Sequence, residues 1–209
     1  MTKAAVGFRA HTGWAAAVVL AGSANAPCVV NRRRVELLAS GVPWECYHAA
    51  AAMPPARAET MLDKARATAT DLARDALRDI ADGLRGAKDE LVAVGVVLSS
   101  ARPLLSIEEA LSSHAMKHAA EGQLYRQALI DAANGLGLRV DAVPERDVSD
   151  VAAAALGMSS IQVRGRAADL GRELGAPWAA DQKTAALVAW LALARTQARR
   201  RPKAHGHVG

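Results

Sequence analysis

Aromatic side chains are nearly missing from this sequence, which has one phenylalanine, two tyrosines and four tryptophans, 3% of the chain. Its interior must therefore be assembled from alanine, valine and leucine, within 209 residues that are 51% hydrophobic. That length suffices for one α/β domain with a substantial core. Cysteine is equally scarce. Cys28 and Cys46 stand alone without CxxC spacing, and they read as two thiols in a reducing compartment rather than as a disulfide. No apolar run reaches bilayer length, since Ala15–Gly22 and Leu91–Leu98 are both too short. The N-terminus lacks the basic and apolar regions of a signal peptide, so a cytoplasmic protein with no membrane partner is expected. GxxxxGK[ST], GxGxxG and GxSxG are all absent, which removes support for P-loop, dinucleotide and nucleophile-elbow chemistry. Carboxylates are missing from the first 35 positions, and Glu36 is the first acid in the chain.

What charge there is concentrates at the far end. The net charge is +5, and Arg195, Arg199, Arg200, Arg201 and Lys203 by themselves match that excess. The remainder is near neutral and lacks the overall basic character of a nucleic-acid binder. The sequence divides into one domain over residues 1–200 and a basic tail over 201–209, expected to be disordered. Such a tail adds salt-sensitive affinity for phosphates or serves only solubility. His205 and His207 belong to it and have nothing to fix them as ligands.

Taken in order, Ala4–Phe8, Trp14–Leu20 and Cys28–Leu38 read as three strands on short turns, an antiparallel meander. Alternation sends Arg33 to the face opposite Arg32 and Arg34. Residues 41–48 read as a loop containing Trp44, Tyr47 and His48, whose rings pack on one another or line a pocket for a planar ligand. A helix is predicted from about Ala56 to Leu84, with Asp71, Arg74, Asp75, Arg78 and Asp79 on a solvated face carrying i,i+4 pairs. Leu91–Leu98 is almost continuously apolar and reads as a central strand covered on both faces. Leu138–Val143 is a further short strand, and Pro144-Glu-Arg-Asp is a polar connection. Helical segments follow at Val151–Leu156 and Ile161–Leu174, then a last helix from Ala179 to about Arg200.

The most informative stretch lies between the last two strands. Ser106 with Glu109 suggests a capping box, starting one helix that continues to about Ala133 before Asn134-Gly135. At about 100° per residue, His114, His118, Glu121 and Tyr125 fall on one stripe together with Ile107, Leu111 and Leu129. Polar groups on a core-facing stripe cost free energy unless they are paired or bind something. His-x-x-x-His places two ring nitrogens on one metal, and Glu121 offers a third ligand or a general base. A divalent ion (Mg²⁺, Mn²⁺ or Zn²⁺) is the cofactor this set would hold through His114, His118 and Glu121. The competing reading is a buried hydrogen-bond network. Tyr125 and Arg126 either bind a substrate acid or are a packed ring and a surface cation.

The element order of meander, helix, buried strand, helix, strand, helix is that of the ribonuclease H-like fold. Gly7-Phe-Arg-Ala-His-Thr-Gly13-Trp14-Ala-Ala resembles the opening Gly-x-Asp-(loop)-Gly-Trp of uncharacterised RNase H-fold proteins and, more loosely, of RuvC-type resolvases. Asp181-Gln-Lys183-Thr-Ala-Ala-Leu-Val-Ala-Trp190 resembles their last helix. The resemblance implies an α/β fold with a mixed sheet, three antiparallel strands plus parallel ones, and helices on both faces. It also implies an acidic site that holds two cations, one of its carboxylates coming from the first strand. Here Phe8 and Arg9 stand at that place, so the two-metal site is incomplete. By the same resemblance Asp181 is the last-helix carboxylate; a helix-start Asp favoured by the dipole explains it as well. Arg9, His11, Thr12 and Lys183 become candidates for binding a phosphate-bearing substrate, although turn residues and a solvated lysine are the ordinary reading.

Three functions stay open at this level. One is a divergent metal-dependent phosphodiester hydrolase or nucleic-acid-processing protein using Glu121, Asp181 and His118, with one site shared by the first hairpin, the central helix and the start of the last helix. Another is a non-enzymatic module that binds phosphate or nucleic acid through Arg9, Thr12 and Arg33. The third is a homo-oligomeric scaffold, a homodimer in its simplest form.

Overall fold

The computed structural model describes residues 1–99, 102–103 and 106–198. The expected tail and the end of the last helix lie outside those residues. Three strands open the chain: β1 (Thr2–His11), β2 (Trp14–Ser23) and β3 (Ala26–Glu36). Helices α1 (Cys46–Ala51) and α2 (Pro55–Gly86) follow, then β4 (Asp89–Leu98). Next come α3 (Ile107–Leu111), α4 (His114–Gly135) and β5 (Arg139–Pro144). A short 3₁₀ turn then leads to α5 (Val148–Leu156), α6 (Ser160–Asp169) and α7 (Ala180–Ala198).

The strands form one sheet in the order β3-β2-β1-β4-β5. β1, β2 and β3 pair antiparallel, and β1, β4 and β5 pair parallel. The hairpin between β1 and β2 turns at Thr12-Gly13, where Gly13 takes φ +80°, a conformation that strains residues bearing a Cβ. Residue alternation divides the core in two. Ala4, Val6, Phe8, Ala15 and Ala17 pack under α1–α4, whereas Ala5, Val18, Leu20 and Ala93 pack under α5–α7.

Helix α2 starts with Pro55 at its first position, where the missing N–H costs nothing. Ala58, Leu62, Ala65, Ala69, Ala73, Leu77, Ile80 and Leu84 bury a stripe at spacings of three and four. Its outer face carries Asp71–Arg74 and Asp75–Arg78 at i,i+3 rather than the i,i+4 spacing expected from the sequence. Helix α7 is different, for Ala185 to Ala194 are all buried. A helix apolar all round must be enclosed, and α7 lies between the sheet and α5–α6. No helix among the described residues is long and apolar enough to cross a membrane.

Gly7 and Gly95 are register partners on β1 and β4, and they set how closely α7 approaches. A Cβ on Gly7 would stand 1.9 Å from the Ala185 carbonyl oxygen, and one on Gly95 would stand 2.3 Å from that of Val188. The helix backbone thus rests directly on the sheet. Its two ends are also tied down. Trp190 Nε1 donates to Ala24 O at 2.7 Å, and the Gln197 amide bridges Ala24 N and Gly22 O, both at 2.9 Å. At the other end Arg32 donates to the carbonyls of Leu174, Gly175, Ala176 and Pro177, holding the segment before α7 against β3. Arg195, one of the five cations that match the net charge, lies in α7 and bonds the buried Asp141 of β5 at 2.8 Å.

Two further expectations are corrected. The predicted helix from Ser106 to Ala133 is broken: Ser113 caps a new start, its Oγ accepting from Met116 N at 3.2 Å. Two consecutive serines, good at caps and indifferent within helices, favour the break. Residues 46–48, read as loop, begin α1 because Cys46, Tyr47 and Ala50 bury against α2 and α4.

The glycine contact yields opposed expectations for two substitutions. Gly95→Ala should lower stability by about 1–3 kcal/mol or more, the cost of overpacking a filled interior. Gly83→Ala, in α2 with nothing within 4 Å of its Cβ position, should raise it by about 0.5–1 kcal/mol. Urea titration of both variants against wild type measures the two signs; a neutral Gly95→Ala would contradict the close approach.

Candidate functional site

Besides the buried Asp141 held by Arg139 and Arg195, polar groups of the described residues gather in two clusters on opposite faces of the sheet, toward the edge where the parallel strands end. In open α/β sheets that edge is where ligands are usually met.

The first cluster is on the α7 face. Arg9 follows Phe8 on β1, so its side chain points away from the Phe8 core toward the start of α7. Its guanidinium bonds Asp181 in the first turn of α7 and Glu145 just after β5, the latter through Nε at 3.1 Å and Nη2 at 2.9 Å. His11 Nε2 lies 3.1 Å from both Arg9 Nη1 and Asp181 Oδ2. In one tautomer it accepts from the arginine, and in the other it donates to the carboxylate. The His11 ring stacks on Trp14 at 4.3 Å, and the Arg34 guanidinium covers the same indole at 4.1 Å. Arg34 also bonds Glu36. Thr12 sits in the hairpin turn, and Lys183 is half-buried one residue beyond Gln182 in α7.

A pair of divalent cations does not fit this corner. The two carboxylates that bond Arg9, Asp181 and Glu145, already surround a guanidinium, and Arg9 occupies the first-strand position where the resemblance expects an acid. Bringing Mg²⁺ in would set three like charges together.

The second cluster is on the α1–α4 face. His48 projects from α1, and His114, His118 and Glu121 project from α4, the stripe expected from sequence. Glu121 is fully buried, with 0% exposure. Its Oε1 lies 3.0 Å from His48 Nδ1, and its Oε2 lies 3.3 Å from His118 Nδ1. The second contact falls outside hydrogen-bond geometry, so Oε2 has no hydrogen-bond partner. His48 Nε2 is 3.0 Å from His114 Nδ1, and His118 Nε2 is 3.1 Å from His114 Nε2. Ligand atoms of the three imidazoles all lie within 4.8 Å of one another. Beneath them, burial and the Glu121 charge push the Cys46 thiol up to about 11. Burial, with Cys46 and Glu121 adding to it, raises the Tyr125 hydroxyl as well.

Arg126 belongs to neither cluster. It lines a cavity of about 280 Å³ with Leu98, Ser99, Arg102, Pro103 and Pro144, at the ends of β4 and β5. Burial lowers its pKa, and the charge of Glu145 partly offsets this. Among the described residues it forms no salt bridge, whereas Arg102 bonds Glu109.

The structure therefore separates Glu121 from Asp181, which the sequence reading had joined in one site, because α4 and α7 cover opposite faces. Arg33 also leaves the proposed phosphate-binding group: on the α2 side it donates to Ala76 O at 2.7 Å. Glu145 and His48 are members that sequence reasoning did not include. Position after a parallel strand could have singled out Glu145. For His48 the signal was weak, a lone imidazole beside Tyr47.

No protein-family model and no curated protein matches this chain. Solved structures do. The chain is similar to RuvC of Thermus thermophilus in complex with a Holliday junction substrate, at 14% identity and a TM-score of 0.53, with 94% of this chain and 96% of that one covered. A second Thermus thermophilus RuvC structure matches at 13% identity and 0.52, over the same shares. At such identity the likeness is one of fold, and it extends over nearly the whole of both chains. This protein has the RNase H-like fold.

The buried thiol gives a pH expectation. A thiol that keeps its proton more tightly when folded leaves stability unaffected below its unfolded value of 9.0, then lowers it as pH rises from there toward about 11. Cys46→Ala should flatten that loss in urea melts between these pH values. Below pH 9 alkylation should label the exposed Cys28 and spare Cys46; equal labelling of both would contradict the assignment.

Proposed function

We propose that this protein is an RNase H-fold nucleic-acid-binding module whose two-cation position is closed by an arginine. The observation that carries this is the Arg9 guanidinium, bonded to Asp181 and Glu145 at the first-strand position. A fixed positive charge from the protein takes the role that bound cations have in hydrolytic relatives, so the acids of this corner hold an arginine rather than activate water.

Two features support phosphate and base contacts along the same edge. Arg126, half-buried and without a salt bridge among the described residues, faces a cavity of about 280 Å³, where a phosphate oxygen would make a charge-assisted bond of the kind arginine favours. The His11–Trp14–Arg34 stack offers ring and guanidinium planes of the type on which bases stack. A RuvC of similar fold was captured with a Holliday junction, which makes a branched duplex the first probe to try. In this reading Arg9, His11 and Asp181 shape the surface, while Thr12, Lys183 and Arg126 meet the ligand.

The closed cation position has a direct test. Mg²⁺ should leave the wild-type melting temperature unchanged, since imidazoles bind that ion poorly. Arg9→Asp should melt lower in EDTA and recover with Mg²⁺, having gained a third carboxylate beside Asp181 and Glu145. A Mg²⁺-dependent rise in wild type that Asp181→Asn removes would overturn the proposal.

Binding is tested by fluorescence anisotropy of labelled four-way junction, duplex and single-stranded DNA. The expected result is junction binding in EDTA that weakens steeply above about 50 mM salt and falls at least tenfold in Arg126→Ala. The loss should persist when Arg199, Arg200, Arg201 and Lys203 are all alanine, which separates the cavity from the tail. Absence of binding at low salt, or Mg²⁺-dependent cleavage lost in Asp181→Asn, would refute it.

A further inference from the structure

We infer that His48, His114 and His118 form a site for one transition-metal ion of the zinc class, with Glu121 as the buried carboxylate that aims two of the three ligands. This site is separate from the Arg9 corner and does not depend on the nucleic-acid reading.

The first support is a count of protons. Glu121 Oε1, His48, His114, His118 and Glu121 Oε2 form a closed loop of four contacts at 3.0, 3.0, 3.1 and 3.3 Å. Three of the four have hydrogen-bond geometry, and because a carboxylate only accepts, they use the one N–H that each neutral imidazole brings, that of His118 going to His114. The fourth, at 3.3 Å, lacks that geometry, and Glu121 Oε2 has no hydrogen-bond partner among the described residues. Leaving a fully buried carboxylate oxygen unsatisfied is costly. A metal ion removes the shortage. It takes over the Nε2 atoms of His48 and His118, so neither ring needs an N–H there. Both Nδ1–H groups then turn to Glu121, one to each oxygen.

Ligand placement agrees. Glu121 holds the Nδ1 side of His48 and of His118, which leaves both Nε2 atoms directed at the His114 ring. Nitrogens bound to one tetrahedral ion at about 2.0–2.1 Å stand about 3.3 Å apart; the two Nε2 atoms are 3.0 Å from His114 Nδ1 and 3.1 Å from His114 Nε2, and one nitrogen from each ring lies within 4.8 Å of the others, a spread that rotation of the exposed His114 and His118 side chains closes. His114 contributes either ring nitrogen after a small rotation. A carboxylate behind metal-bound histidines is a recurrent arrangement that fixes tautomer and ring direction. Here one carboxylate serves two rings.

Local structure holds the ligands in place. His48 is on the short α1, anchored by buried Cys46, Tyr47 and Ala50. Ser113 restarts the helix so that His114 opens α4, and His118 and Glu121 follow one turn apart on the same face. Three nitrogen donors select zinc, cobalt, nickel or copper over magnesium or calcium. Because His114 and His118 are exposed, the fourth position faces solvent, open to water or an anionic oxygen.

The test uses the full chain with His205→Ala and His207→Ala, which keeps tail imidazoles out of the measurement. Metal-stripped protein is titrated with Co²⁺ and read by its visible ligand-field absorption, then with Zn²⁺ as competitor, and melting temperature is followed in parallel. The expected result is one Co²⁺ per chain with tetrahedral-type absorption, displacement by Zn²⁺, and a higher melting temperature with either ion. His114→Ala and His118→Ala, both at exposed positions, should fold and lose the absorption. Glu121→Gln should weaken affinity by about 10–100-fold while keeping the spectrum. Failure of the parent to take up Co²⁺ or Zn²⁺, or uptake unchanged in both histidine variants, would overturn the assignment.

Discussion

The contact between the backbone of α7 and the paired glycines Gly7 and Gly95 fixes where every other element of the α7 side can lie. Side chains at those positions would lift the helix off the sheet. Without them, Ala185 and Val188 settle onto β1 and β4, and the first turn of α7 arrives beside the end of β1. Asp181 meets Arg9 for that reason. The grip of Arg32 on the carbonyls before α7, and of Gln197 and Trp190 on the turn between β2 and β3, hold both ends at the height the glycines set.

Among the buried and half-buried acids of this protein, Asp181 and Glu121 are held in different ways. Asp181 faces a permanent cation delivered by a strand, so its charge is balanced whatever the solution contains. Glu121 faces imidazoles, whose N–H groups reach it only as their other contacts allow. The first arrangement is closed, and the second is conditional. The sheet lies between them.

Much of the fold was legible because its signals are local. Turn residues around Gly13 and Pro27 delimit the meander, the apolar run over Leu91–Leu98 marks a strand buried on both faces, and alternation assigned Arg33 to the opposite side from its neighbours, where it bonds α2. The stripe of His114, His118, Glu121 and Tyr125 followed from helical spacing alone. What could not be read depended on distance along the chain. Arg9 and Asp181 are 172 positions apart, and His48 is 73 positions from Glu121; only the packed sheet and helices bring them together. The break at Ser113 was missed for another reason. Apolar periodicity continues across it, and the competing preference of serine for a cap is weak until packing favours it.

A helix that follows every strand in sequence and yet is covered on all sides has a consequence during synthesis. Until α7 has left the ribosome, the face of the sheet carrying Ala5, Val18, Leu20 and Ala93 stays wet, however well β1–β5 have paired. The growing chain is then an open-faced sheet with two glycine notches and no helix to fill them, a form prone to pairing with other exposed surfaces. Closure of that face waits for α7, and the Arg9–Asp181 contact forms only once its first turn is in place.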